Sequence, residues 1–299
     1  MNRTIRQHFV PRAYLRRFSS SSSGTGIERT HALIKRNTKI VEIPIQNIAS
    51  RELFYDFGPG DQEQVLEQHF SQNIEGDLAD LLRESVDHFK AAQTLVASHK
   101  RRLAAHLALQ YLRTHEFRRV LAENLGGVAE MLTRQFRSLH NDLPDEFKVE
   151  ANVDARAHLD LGMNDANIGT IAHILTQHAW QVVRAPAGRT FLTSDAPVML
   201  IGEPLAPWMG VGFATYGARV LFPLDAEYLV VTTDIVSFRE NGHLGENVVV
   251  EATEGMMDQY NFIILGMAAE QAVARTRLEL ERAEALLRAE AQYLGQSQP

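Results

Sequence analysis

The chain has no cysteine among its 299 residues, which excludes disulfides, thiolate metal ligands and a cysteine nucleophile. It also lacks long hydrophobic runs. No stretch approaches the ~18 uninterrupted apolar residues of a membrane-spanning helix, so no membrane partner is expected. Positive charge is not in excess either. Thirty Lys and Arg stand against thirty-seven Asp and Glu, giving −7, so only local basic patches could attract a polyanion. The basic N-terminus has no apolar core of about 7–15 residues, and no secretory signal is expected. Pro11 interrupts the amphipathic helix that an organelle transit peptide forms, which leaves a cytoplasmic location as the expectation.

What is present suits a globular protein. Hydrophobic residues make up 45% and charged residues 22%, enough to build a core in one large or two small domains. Residues 19–26, SSSSSGTG, read as a connector, because serine and glycine offer little burial against ordering entropy. Two β-leaning runs then flank RNTK and predict a hairpin with Asn37 in its turn. Leu53, Phe54, Tyr55 and Phe57 form an aromatic-rich cluster that GPG closes.

From Asp61 the apolar period becomes helical. Val65, Ile74, Leu78, Leu81 and Leu82 predict one helix, and Leu103, Leu107, Tyr111 and Leu112 a second that starts near Ser98. A third is expected within 118–139 and a fourth within 165–181, with a loop at NDLPDE. From about Gln181, short β-type runs separated by turn residues predict an antiparallel or mixed sheet. The segment from about Thr253 to Leu294 reads as helical throughout. Its stripe of Leu280, Ala283, Leu287 and Ala291 could pack or make a homo-oligomer contact. The fold class expected is α+β, with an N-terminal hairpin, a central helical layer, a C-terminal sheet and a long C-terminal helix. The chain is expected to be one domain, 1–299, in four parts: 1–60, 61–181, 182–252 and 253–294.

HFVPRAYLRRF, residues 8–18, resembles the H-[YF]-V-P-x-x-Y-L-x-x-F signature of the domain-of-unknown-function family 4238. Further segments are similar to that family's landmarks in the same order. They are LEQHFSQNIEGDLADLL, ALQYLRTHEFR, FLTSDAPV, LFPLD and YNFIILGMAAEQAVA, the last resembling an Asn-led terminal helix. The resemblance extends to about residue 275. It implies family membership and carries no activity with it.

The polar residues of these segments are the site candidates, and each has two readings. His8 could act as acid or base, or cap a loop. Arg12, Arg16 and Arg17 could grip phosphates or form a solvated face. Tyr14 could contact substrate or sit in the core. Ser194 and Asp195 end a strand, where Asp195 could hold a cation or make an Asx-type turn before Pro197. His106, Gln110 and Arg113 share one helical face, with His99 further along it. Arg113 is the functional candidate there, and His99 and His106 read as the wet side of the helix. Glu67 and Glu75, about two turns apart, could face one groove and hold Mg²⁺ with Asp195, or be exposed glutamates. His173 and His178 point too far apart on a helix to form a zinc site.

The leading functional expectation is a phosphodiester hydrolase, nuclease-like, used in defence or conflict. His8, Glu75 and Asp195 would be its catalytic groups, with Glu75 and Asp195 as ligands of a cation such as Mg²⁺. Arg12, Tyr14, Gln110, Arg113 and Ser194 would contact nucleic acid or a nucleotide. The alternatives are a non-catalytic binding or scaffold protein, whose motif residues are hydrogen-bonded core groups, and a hydrolase of a small anion.

Overall fold

In the computed structural model the described residues are 6–20, 27–52, 54, 75–92, 94–140, 143–144, 146–161, 163–204, 210–242 and 245–296. Strand β1 (Arg6–His8) pairs antiparallel with β4 (Ser50–Glu52), placing His8 opposite Ser50. Pro11 then starts the short helix α1 (Arg12–Leu15), its carbonyl accepting from the amides of Tyr14 and Leu15 at 3.1 Å, and a 3₁₀ turn spans Arg16–Phe18. The hairpin expected around Asn37 forms as β2 (Arg29–Ile34) and β3 (Lys39–Pro44). Thr38 takes the left-handed conformation at φ 51°, and Asn37 Oδ1 accepts from the Lys39 amide at 3.2 Å.

Among the described residues five helices follow: α2 (Glu75–Ala92), α3 (Ala97–Leu112), α4 (His115–Leu139), α5 (Ala155–Leu161) and α6 (Asp165–Gln177). The second, third and fourth expected helices are therefore present within a few residues, and α5 is additional. The first is described only from Glu75, and its expected start at Asp61 lies outside the described residues. Caps explain two of the starts: Thr114 accepts from the Phe117 amide at 3.1 Å, and Asn164 from the Asn167 amide at 2.9 Å. Helix α3 carries Leu103, Ala104, Leu107 and Ala108 on buried faces and packs closely along α6.

The rest of the chain supplies two larger sheets. One runs β10 (Val248–Glu251), β5 (Ala179–Arg184), β9 (Tyr228–Thr233), β8 (Arg219–Pro223), β7 (Met199–Ile201), and is antiparallel except for the parallel β10–β5 pair. The other runs β3, β2, β11 (Gln271–Ala274), β6 (Thr193–Ser194), antiparallel throughout. Two helices and a short one, α8 (Glu254–Met267), α9 (Arg277–Gln296) and α7 (Ile235–Glu240), complete the α+β architecture.

Two expectations change here. Strand β5 starts at Ala179, where Trp180 and Val182 alternate into the core and pull these residues out of the preceding helix. The C-terminal segment is not one helix, because β11 interrupts it. Ala272 and Ala274 are poor strand formers and only Val273 favours a strand, yet the ladder between β2 and β6 overrides the alanines. The N-terminal hairpin and the C-terminal strand thus share a sheet.

The mixed sheet separates two apolar cores by its period of two. Trp180, Val182, Val220, Phe222 and Val230 face the N-terminal signature and the helices α2, α3 and α6. Val183, Leu221, Leu229 and Val231 face α8 and α9. Leu280 and Ala283 of the expected C-terminal stripe are buried in this second core, Leu287 packs partly against it, and Ala291 is exposed. Among the described residues no helix is long and apolar enough to cross a membrane.

Candidate functional site

The signature segment is pinned from three sides. Tyr14 is 1% exposed and stacks on Phe222 with ring centroids 5.2 Å apart. Its hydroxyl donates to the Pro223 carbonyl at 2.8 Å and meets Thr193 Oγ1 at 2.6 Å. Burial holds its pKa far above the ordinary tyrosine value, so the phenol is a permanent donor. Arg17 reaches the same neighbourhood, donating to the Leu224 carbonyl at 3.0 Å and to Asp225 at 2.9 Å. Arg16 pairs with Glu28, and Arg12 is exposed, its side chain without a hydrogen bond or ion pair among the described residues.

From the second side, the end of α3 holds the signature's main chain. Gln110 Nε2 donates to the Phe9 carbonyl at 3.0 Å, and Arg113 Nη2 to the His8 carbonyl at 2.9 Å. Gln110 and Arg113 are each 1% exposed. The third member of the row, His106, is buried against Phe222 rather than on a wet face. Helix α3 is covered on this side by the signature, which leaves its polar row nowhere to meet water. Burial, with Arg113 adding to it, pushes the His106 pKa down to about 3, so the ring is neutral. His99 lies apart, beside His88.

The third side is the strand end at Ser194 and Asp195. Ser194 Oγ accepts from the Ala196 amide at 3.1 Å, so the local turn before Pro197 is capped by Ser194, in place of the Asx-type turn expected at Asp195. Asp195 is almost fully buried. Its carboxylate accepts from the amides of Ala269 at 2.9 Å, Glu270 at 2.8 Å and Gln271 at 3.2 Å. Burial pushes its pKa up to about 6, against the lowering effect of these amides. The next link is Gln271, whose Oε1 accepts from the Ala49 amide at 3.2 Å, while the Ala49 carbonyl accepts from Phe9 at 3.0 Å. Ala49 is held left-handed at φ 46°, a strained geometry for alanine that these two bonds secure.

His8, Gln110, Arg113 and Asp195 are therefore joined through one hydrogen-bonded network, largely by way of backbone groups. The His8 ring is half-buried. Glu75 opens α2 and its side chain, like all of Glu67, lies outside the described residues. Among the described residues no group of three or more His, Asp or Glu side chains could hold a metal. Two open cavities of about 340 and 380 Å³ are present, the first beside the Arg17–Asp225 pair. The first is lined by Arg17, Arg83, Lys90 and Asp225, and the second by Lys100, Arg101, Thr176 and Asn247.

Sequence reasoning missed a second polar centre on the far side of the mixed sheet. Arg189, with its side chain 5% exposed, donates to Glu279 at 2.7 Å and Asp258 at 2.7 Å and pairs with Glu254. Asn261 accepts from the Leu192 amide at 2.9 Å and donates to the Thr190 carbonyl at 2.9 Å and to Glu279 at 3.2 Å. The only signal for it was Asn261 at the head of a helical segment. Thr193, Gln271 and Ala49 also escaped, since their roles arise from sheet neighbours distant in sequence.

These features define an α+β protein whose motif residues bind one another's backbones across the N-terminal segment, α3 and the β6–β11 edge. The chain belongs to the family described as protein of unknown function (DUF4238), whose model matches residues 6–277. No curated protein and no solved structure matches it.

Proposed function

We propose that this protein is a non-catalytic binding or scaffold protein, and that the family motifs secure its architecture. The observation that carries this reading is Asp195, whose carboxylate is occupied by the amides of Ala269, Glu270 and Gln271. A carboxylate saturated in this way is a poor cation ligand and a good staple between segments. Gln110, Arg113 and Tyr14 follow the same pattern, since each donates to a main-chain carbonyl.

A second reading, hydrolysis of a phosphodiester or other small anion, rests on His8. Its ring is half-buried while its carbonyl is anchored by Arg113, and Arg12 is exposed four residues on. On this reading His8 would supply the imidazole for acid–base work and Arg12 the guanidinium for phosphate, with nucleic acid or a nucleotide as substrate.

Thermal melting of His8→Ala and Asp195→Ala, with cleavage of single-stranded DNA and of a nucleotide measured alongside, separates the two. On the scaffold reading Asp195→Ala melts far below the parent chain and no cleavage is found with Mg²⁺. Parent-chain cleavage lost in His8→Ala, with melting unchanged in both variants, establishes the hydrolase reading instead.

A further inference from the structure

Outside the motif network, two histidines stand together where α2 and α3 meet. His88 lies in the last turns of α2 and His99 in the first turn of α3, with ring centroids 5.4 Å apart and planes at 84°. Both are half-buried. Each has one ring nitrogen sealed from solvent without a hydrogen-bond partner, Nε2 in His88 and Nδ1 in His99. Buried polar atoms in folded proteins nearly always find a partner, so two neighbouring orphans ask for a common explanation.

Their spacing supplies one. Two imidazoles bound to a tetrahedral ion at about 2.1 Å place their ring centroids about 5 Å apart. Burial, and then the neighbouring His88, lower the proton affinity of His99, while Glu84 acts the other way. An imidazole in its neutral form has one nitrogen lone pair to offer a metal.

We propose that His88 and His99 form a two-imidazole seat for a divalent transition-metal ion, zinc foremost, that ties the end of α2 to the start of α3. The two imidazoles are the ligands proposed, since no group of three candidate ligand side chains exists among the described residues. Imidazole pairs suit zinc, nickel and copper and discriminate against magnesium. The seat stands independently of the motif network and of the proposed function.

The test is thermal melting of the full chain with zinc chloride. A ligand that binds only the folded form raises the midpoint, by about 3 °C at roughly ten times its dissociation constant for a chain of this size. The rise is expected with zinc and not with magnesium. It should vanish in both His88→Gln and His99→Gln and persist in His173→Gln, which alters an exposed histidine. Cobalt(II) in place of zinc gives a visible absorption band as a readout independent of melting, expected in the parent chain and absent from the two variants. No rise and no band in the parent chain, or either signal surviving in His88→Gln or His99→Gln, overturns the seat.

Discussion

Two of the buried polar centres among the described residues, at Asp195 and at Arg189, are built on opposite plans. At Asp195 a single carboxylate faces three main-chain amides, with Tyr14, Gln110 and Arg113 donating to carbonyls nearby. At Arg189 a single guanidinium faces the carboxylates of Glu254, Asp258 and Glu279. The first plan fixes where segments of backbone lie, since an amide cannot move without the chain. The second fixes side chains that project from α8 and α9, and long side chains adjust more readily. Backbone-directed bonds are thus the stricter constraint on topology. They join residues 8–14, 49, 110–113, 193–195 and 269–271, the segments that carry most of the family's motifs.

The contrast can be broken at either centre. Asp195→Ala should have the largest effect, because it leaves the Ala269, Glu270 and Gln271 amides without their acceptor. A loss of about 3 to 5 kcal/mol is expected, read from denaturant unfolding. Glu279→Gln removes the most buried partner of Arg189 while Asp258 and Glu254 remain, and should lose about 3 kcal/mol in the same measurement. Tyr14→Phe keeps the ring stacked on Phe222 and removes only the hydroxyl. It should lose about 1 to 2 kcal/mol, with the difference from the parent chain confined to the midpoint and not the slope.

Acidification sharpens the comparison further. His106 and His158 are buried with pKa values pushed down to about 3 and about 4 by burial, so both are neutral in the fold. The unfolded chain takes up their protons first, near pH 6.5, and stability therefore falls as pH drops below neutrality. Asp195 opposes this. Its pKa is raised to about 6 in the fold, so it binds a proton before the unfolded chain does and gains stability between about pH 6 and 4. These three groups together take away about 1 kcal/mol from pH 7 to pH 6, and His99, His115 and His178, whose pKa values burial also lowers, add to the loss, which urea titration at both values measures.

Much of the architecture was legible in the sequence because it depends on local period. The β2–β3 hairpin, α3, α4, α6 and the strands β5, β7, β8 and β9 of the mixed sheet follow apolar spacing and turn residues. Strand β11 was not legible. Its alanines acquire strand geometry only from neighbours more than 70 residues away, so no local window contains the cause. The candidate site divides in the same way. His8, Tyr14, Gln110, Arg113 and Asp195 could be picked out by type and motif, and they do meet in one network. What each side chain faces could not be read, because its partner is a backbone group and every residue offers the same one. His106 shows the cost most plainly: helical spacing placed it beside Gln110 on a polar row, and only the docked signature turns that row into a buried one.

The central claim is that Asp195 holds the main chain of residues 269–271 rather than serving chemistry. Amide hydrogen exchange at Ala269, Glu270 and Gln271, in the parent chain and in Asp195→Asn, tests it most directly. All three amides should exchange as slowly as the core strands in the parent chain, and at least tenfold faster in the variant, about 1.4 kcal/mol of lost protection. Fast exchange at these amides in the parent chain, or equal rates in the two proteins, would contradict it.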